Sequence, residues 1–391
     1  MEYIHIPYIE GDGSGEDIWV ASKGVLEEAV LKAYNGHRKV RWINLLAGQK
    51  ALDKTGQLLP EETLDKVKTH KVAIKGPLTT PVGGGFRSVN VYLRQVFDLY
   101  VCMRPIRYFE GLPSPLLSPQ NIDLIIFREN TEDLYKGIEW REGTKEAREL
   151  IDFVRDKTGV ALSYDTGVGI KPISRKGTQR FTRWVIDYAI KNKRKAITVV
   201  HKGNIMKYTE GAFREWAYEI ARAYEDHLVF ESDGQRQGNS KDRILINDRI
   251  ADNMFMQIIL KPQAYDILLC PNLNGDYLSD ACAGLIGGLG VAPGANIGDE
   301  VAIFEPTHGS APKYAGRDMV NPTSFLLSGA IMFRYLGFDY AAVLIEDAIE
   351  ETIKSRIVTY DLARGMEGIT PVGCLRFGEE VAKRIGEKGL D

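Results

Sequence analysis

The chain lacks any apolar stretch approaching the ~18–20 residues that a membrane-spanning helix needs. Its first residues, MEYIHIPYIEGDG, carry no basic region followed by an apolar one. The expectation is a cytoplasmic protein with no membrane partner. An excess of charge of one sign is also missing. Lys+Arg number 50 and Asp+Glu 53, a formal net charge of −3, so no global field gathers nucleic acid or an anionic surface. Nor does any basic–aromatic stripe point to nucleic acid as a partner. Cysteine is scarce: Cys102, Cys270, Cys282 and Cys374 form no C-x-x-C pair and read as buried thiols in a reducing compartment. The G-x-G-x-x-G spacing of a Rossmann turn is absent after the first strand. GDGSG from Gly11 has the form G-x-G-x-G, which argues against that fingerprint. There is no short repeat and no low-complexity linker, so composition does not reveal domain boundaries.

What is present is length, glycine and alternation. The 391 residues exceed a usual single domain, and the apolar share of 44% can bury a sizeable core. The 39 glycines suggest many tight turns or close backbone approaches. Strand candidates are YIHIPYI from Tyr3, KVRWINLL from Lys39, KVAIKG from Lys71, DLIIF from Asp123, AITVVH from Ala196, DILLC from Asp266 and VAIF from Val301. Amphipathic segments lie between them. They start at Ile18, Glu62, Ala147, Glu210, Arg249, Ser324 and Asp339. Alternation of this kind predicts a layered α/β protein with a largely parallel sheet.

Ligands of such sheets gather beyond the carboxyl ends of strands. Those ends carry GPLTTPVGGGFRSVNVYLR, RENTEDLY, KGNIMK, PNLNGDYLSD and EPTHGSAPKYAG, richer in long charged side chains than turns alone require. Asp276 and Asp280, four apart, share a face if NGDYLSD opens a helix. Two such carboxylates suit Mg²⁺ or Mn²⁺, or equally an acidic first turn meeting the helix dipole; Asp252 is a third candidate ligand. Arg94, Arg104 and Arg128, with Lys202, form a basic set, and each guanidinium fork matches a carboxylate. Asn90 shares a helix face with Arg94, and Ser88 stands at the N-cap position with a hydroxyl to offer. GLIGGLGVAPGANIG from Gly284 supplies backbone for close packing or phosphate approach. HGSAPKYAG sets the His308 imidazole beside Gly309, Lys313 and Tyr314.

These segments, together with IPYIEGDGSG, VVHKGNIMK, VAPGANIGDE and VTYDLAR, run nearly end to end. They resemble the bacterial NADP-dependent isocitrate dehydrogenases of the β-decarboxylating dehydrogenase family, which includes the isopropylmalate and homoisocitrate enzymes. The resemblance implies a non-Rossmann α/β fold with a large discontinuous domain (1–99 and 287–391), a small domain (100–132 and 175–286) and a dimer clasp (133–174). It implies a homodimer whose active site is shared between subunits, with Lys202 and Asp252 reaching across. Ser88, Asn90, Arg94, Arg104 and Arg128 match the family's isocitrate ligands. Asp252, Asp276 and Asp280 match its metal ligands, and Tyr135 and Lys202 its proton-transfer residues.

The implied reaction is NADP- and Mg²⁺- or Mn²⁺-dependent oxidative decarboxylation of isocitrate to 2-oxoglutarate and CO₂, a step of the tricarboxylic acid cycle. Homoisocitrate and 3-isopropylmalate are the alternative substrates within the family. The matched cofactor contacts are Thr79, the run His308, Gly309, Ser310, Ala311, Pro312, Lys313 and Tyr314, then Asn321, Tyr360 and Arg364. Lys313, Tyr314, Tyr360 and Arg364 follow the NADP-using pattern, in which cations meet the 2′-phosphate dianion.

Overall fold

The computed structural model describes residues 2–79, 88–232, 235–237 and 243–388. In chain order the strands are β1 (Glu2–Ile9), β2 (Arg38–Asn44), β3 (Val72–Lys75), β4 (Val101–Arg107), β5 (Asp123–Glu129), β6 (Glu139–Trp140) and β7 (Val168–Gly169). They continue with β8 (Ala196–His201), β9 (Leu228–Ser232), β10 (Gln235–Gln237), β11 (Ile244–Ile250), β12 (Ile267–Cys270), β13 (Pro293–Ile297) and β14 (Ala302–Pro306). Twelve of them form one sheet in the order β10-β9-β11-β8-β12-β5-β4-β13-β14-β3-β1-β2, and β6 pairs with β7 separately.

The expected parallel sheet is found as two parallel wings. One comprises β14, β3, β1 and β2; the other comprises β5, β12, β8, β11 and β9. Antiparallel steps through β4 and β13 join them, so the sheet as a whole is mixed. The middle strands β3, β12, β13 and β14 are buried along their whole length, as strands covered by helices on both faces must be. Helix Gly15–Ala33 buries Ile18, Ser22, Val25, Leu26, Ala29 and Val30, a stripe at the three-and-four spacing of one helix face. That helix packs on Cys374–Glu387. On the other wing Arg175–Lys191 packs on Glu210–Arg222 and on β5.

Some elements depart from the expectation. The segment from Arg249 was expected to be helical at once, but Arg249 and Ile250 finish β11 and the helix runs Ala251–Leu260. GLIGGLGVAPGANIG ends a helix and forms β13 at the centre of the sheet. A Cβ on Gly294 of β13 would lie 2.7 Å from Arg104 Nη1, so this glycine serves close packing rather than phosphate contact. Most of the GPLTTPVGGG cluster, at 80–85, lies outside the described residues. All four cysteines are free and buried. Among the described residues no helix is long and apolar enough to cross a membrane.

Candidate active site

The centre of the site is a carboxylate facing three cations. Glu305, at the end of β14, is 4% exposed. Its Oε2 pairs with Lys75 Nζ at the end of β3. Its Oε1 lies 3.3 Å from Arg94 Nη2, on helix Val89–Val96, and 3.8 Å from Arg104 Nη2, in β4. Asn296 Nδ2 of β13 donates to the same oxygen at 2.6 Å. Burial alone would raise the Glu305 pKa, but Lys75, Arg94 and Arg104 outweigh it and hold the carboxyl well below its ordinary range. Glu305 therefore stays ionised and cannot offset both guanidinium charges, even though burial lowers the pKa of its partner Lys75.

The unmet charge comes with unmet hydrogen bonds. Among the described residues, Arg94 Nε, Arg104 Nη1, Arg128 Nη2 and Asn90 Oδ1 are buried without a partner. Leaving such groups unpaired is costly; the three guanidinium N–H groups suit an anion with several oxygen acceptors, while the Asn90 oxygen lacks a donor. Ser88 occupies the N-cap position of helix Val89–Val96, yet its hydroxyl makes no cap bond.

Arg128, near the end of β5, links this cradle to the acidic helix Asn272–Leu285. Its Nε donates to Asn272 Oδ1 at 2.7 Å and its Nη1 pairs with Asp276. A Cβ on Gly275 would stand 2.7 Å from Arg128 Cβ, so glycine there lets the helix close on the strand. Burial and Arg94 push the Arg128 pKa down, but from so high a value that the guanidinium stays charged. Its carbon sits 4.5 Å from the Tyr135 ring centroid, and Tyr135 donates its hydroxyl proton to Asp276 Oδ2. Burial, aided by that bond, pushes Tyr135 up to about 12, so it holds a proton at neutral pH.

The two readings of Asp276 and Asp280 separate here. The helix begins at Asn272 and has no acidic residue in its first turn, so Asp276 lies too far along to be a capping acid. The Asp280 pKa is raised by burial and then by Asp276, the response of a pair that would favour a cation. Asp276 Oδ atoms are held by Arg128 and Tyr135, contacts a cation would have to exchange. Both carboxylates fit a hard divalent ion in donor type.

Lys202 and Asp252 form a second, separate group. Lys202 follows β8, and Asp252 lies in the first turn of Ala251–Leu260. Their side chains pair with each other, and the bond from Lys202 lowers the Asp252 pKa. Asp252 is 70% exposed. Among the described residues, no three His, Cys, Asp or Glu side chains gather as a metal cage. Within one chain, then, Asp252 does not join Asp276 and Asp280.

The predicted cofactor residues fall into two contiguous sets. Thr79 Oγ1 lies 2.6 Å from Ser310 Oγ, and Thr79 N–H donates to Asp12 Oδ2 at 2.8 Å. Ser14 Oγ donates to the Ser310 carbonyl at 3.0 Å. The GDGSG loop thus anchors both strand-end segments without being a Rossmann turn. His308 keeps a buried Nε2 without a partner among the described residues, and burial lowers its pKa. Gly309 and Ala311 flank Ser310 in this loop, and Pro312 begins the short 3₁₀ turn Pro312–Tyr314. In the second set the Tyr314 and Tyr360 rings are 5.4 Å apart. Lys313 Nζ is 4.9 Å from the first ring and Arg364 Cζ 5.1 Å from the second. Asn321 donates to Asp361 at 3.1 Å, beside Tyr360.

Sequence reasoning missed Lys75, Glu305, Asn272 and Asn296. The signal for the first two was a charged residue closing an otherwise buried run, in VAIK and AIFEP.

Residues 5–381 match the family described as isocitrate/isopropylmalate dehydrogenase. A protein of Archaeoglobus fulgidus named isocitrate dehydrogenase [NADP] is 52% identical over 97% of this chain and 92% of its own length. One of Staphylococcus aureus with the same name is 50% identical over 97% and 95%. A crystal structure of isocitrate dehydrogenase from Methylococcus capsulatus superposes with a TM-score of 0.81 at 40% identity, covering 98% of this chain and 99% of that one. With its sequence and its fold in agreement, the chain belongs to the isocitrate/isopropylmalate dehydrogenase family.

Proposed function

We propose that this protein oxidises and decarboxylates isocitrate to 2-oxoglutarate and CO₂, using NADP and Mg²⁺ or Mn²⁺. The observation that carries the reading is the cradle of Arg94, Arg104 and Arg128, which gather about Glu305 and Asp276 and keep buried N–H groups without a partner among the described residues. A trianionic substrate would bring the opposite charge and the acceptors that these groups lack.

Ser88, Asn90 and the three arginines orient the carboxylates, and a hydroxyl and an amide at Ser88 and Asn90 suit a carboxylate better than an isopropyl group. Asp276 and Asp280, with Asp252 from a second subunit, hold the divalent ion. That ion supplies Lewis acidity, lowering the pKa of the substrate hydroxyl and stabilising charge on oxygen. Lys202 takes the hydroxyl proton as the substrate is oxidised to the β-keto acid oxalosuccinate; a bound NADP would supply the hydride acceptor. After CO₂ departs, Tyr135 gives its proton to the carbon that carried the lost carboxylate. Its high pKa keeps that proton available.

Supporting the domain division, β1–β3, β13 and β14 are neighbours on one side of the sheet, and β4, β5 and β8–β12 on the other. The seam between β4 and β13 separates the strands of 1–99 and 287–391 from those of 100–132 and 175–286. The clasp, 133–174, holds the separate β6–β7 pair. A homodimer accounts for the exposed Lys202–Asp252 pair: each subunit lends these two side chains to its partner's cleft. Lys313, Tyr314, Tyr360 and Arg364 receive the 2′-phosphate, and Thr79, the His308–Pro312 run and Asn321 the rest of the cofactor.

The test is NADPH formation from isocitrate with Mg²⁺, run beside homoisocitrate, 3-isopropylmalate and NAD. Turnover should be greatest with isocitrate and NADP, at least about tenfold above NAD in kcat/KM. Faster turnover of either other acid, or equal use of NAD, would overturn the assignment.

A further inference from the structure

Three charged side chains outside the substrate cradle meet between the elements that carry the proposed proton-transfer residues. Asp133 and Glu210 are each 1% exposed. Lys171 Nζ bridges them, 2.6 Å from Asp133 Oδ1 and 2.9 Å from Glu210 Oε1. Burial works against the Lys171 charge, but the two carboxylates prevail and raise its pKa. The remaining carboxylate positions are taken by specific groups. Glu210 Oε2 accepts the backbone N–H of Lys202 at 2.6 Å and Asn274 Nδ2 at 2.8 Å. Asp133 Oδ2 accepts Leu273 N–H at 3.0 Å, and Oδ1 accepts Leu134 N–H at 2.8 Å.

Three functional elements therefore share one buried network. Glu210 fixes the turn that presents Lys202. Asp133 fixes the turn that presents Tyr135, and does so from a strained position, with φ +66° in a non-glycine residue. Both also bind the start of helix Asn272–Leu285, on which Asp276 and Asp280 lie; its N–H groups favour negative charge there. The two carboxylates and one ammonium leave a net negative charge in the interior. Such a charge is costly unless it is well hydrogen-bonded, and here each of the four carboxylate oxygens accepts at least one donor.

We infer that Lys171, Asp133 and Glu210 are positioning residues that set the proton donor Tyr135 and the proton acceptor Lys202 against the carboxylate helix. The inference rests on the reaction proposed above. In the shared-site dimer, Tyr135 serves its own subunit's cleft and Lys202 the partner's, so the network is also a physical link between the two clefts. A one-ångström misplacement of a reacting group can cost up to about a hundredfold in rate, so loss of one strut has a kinetic signature.

The two arms are read separately by giving the enzyme oxalosuccinate with Mg²⁺. Reduction by NADPH, which consumes one proton and yields isocitrate and NADP, reports Lys202. Decarboxylation, which consumes one proton and yields 2-oxoglutarate and CO₂, reports Tyr135. Glu210→Gln should lower reduction about tenfold and decarboxylation less than about threefold, and Asp133→Asn should do the reverse. Lys171→Met should lower both, with KM for isocitrate within about twofold of wild type, and Lys171→Arg should restore much of the loss. Both reactions are measured on one sample, so their ratio is independent of the fraction folded, and the first two variants suffice if Lys171→Met does not fold. Equal losses in both reactions for Glu210→Gln and Asp133→Asn, or no loss in either, would overturn the inference and leave the proposed activity standing. Wild-type protein inactive in both reactions would overturn the proposed activity and the inference with it.

Discussion

The substrate cradle and the Lys202–Asp252 pair are built on opposite physical terms. In the cradle, Glu305, Arg104 and Arg128 are buried, each charge is tied to others in the same chain, and the surplus is positive. Lys202 and Asp252 are 32% and 70% exposed and touch chiefly each other. An exposed pair contributes little to stability, whereas breaking a buried one leaves an uncompensated charge. The cradle is thus committed to the fold of its own chain, and the exposed pair is free to serve another. The proposed mechanism needs both, but only one should matter for folding.

The largest way to break that comparison is Lys202→Met. Loss of a positioned base removes on the order of a thousandfold in turnover. Because the cradle is intact, Mg²⁺–isocitrate should still bind, as read by isothermal calorimetry; near-normal turnover would remove Lys202 from the mechanism. Next comes Glu305→Gln, which leaves Lys75, Arg94 and Arg104 without their shared anion. It should cost on the order of 3 kcal/mol in urea unfolding at pH 7. The Glu305 pKa is depressed in the fold, so its contribution is present above the unfolded carboxylate value, about 4.3, and is lost as pH falls below it. The gap between wild type and variant should therefore narrow in acid, and a gap constant down to pH 3 would contradict the sign.

Smaller effects sharpen the picture at the cofactor end. Arg364→Ala should lower kcat/KM for NADP about tenfold and leave NAD unchanged, the loss of one charged contact. Smallest of all, Asp252→Asn should not move the urea midpoint of the protein while weakening Mg²⁺-dependent turnover. A large loss of stability would mean that the pair belongs to the fold of its own chain.

The readability of the sequence followed the same divide. β3, β5, β8 and β12 were legible because VAIK, DLIIF, AITVVH and ILLC are nearly unbroken apolar runs buried on both sides. β4 was not, because VCMRPIR is interrupted by Arg104 and Pro105, and Arg104 is one of the proposed carboxylate ligands. β13, PGANI, opens with Pro and Gly and yields its space to a guanidinium. Local rules fail where the site makes its own demands.

The arginines, Asp276, Asp280 and the NADP-type quartet were visible in short motifs, and the structure brings each set together. Lys171, Asp133 and Glu210 were not, since they come from three distant segments and Glu210 reads as an ordinary acid in a helix's first turn. Only the fold makes them neighbours. Likewise, sequence could place Asp252 beside Asp276 and Asp280 by resemblance alone, and within one chain the structure keeps them apart.

That separation makes the shared site the central claim, and subunit mixing tests it most directly. Tyr135→Phe lies in the cradle half and Lys202→Met in the lent half, and each should be nearly inactive as a homodimer. Unfolded together in equal amounts and refolded, they should form mixed dimers in which one cleft carries both substitutions and the other carries none. Turnover of isocitrate should then recover to roughly a quarter of the wild-type value, since half of the dimers are mixed and each has one intact cleft. A refolded mixture that contains mixed dimers and shows no more activity than its two parents would contradict the account.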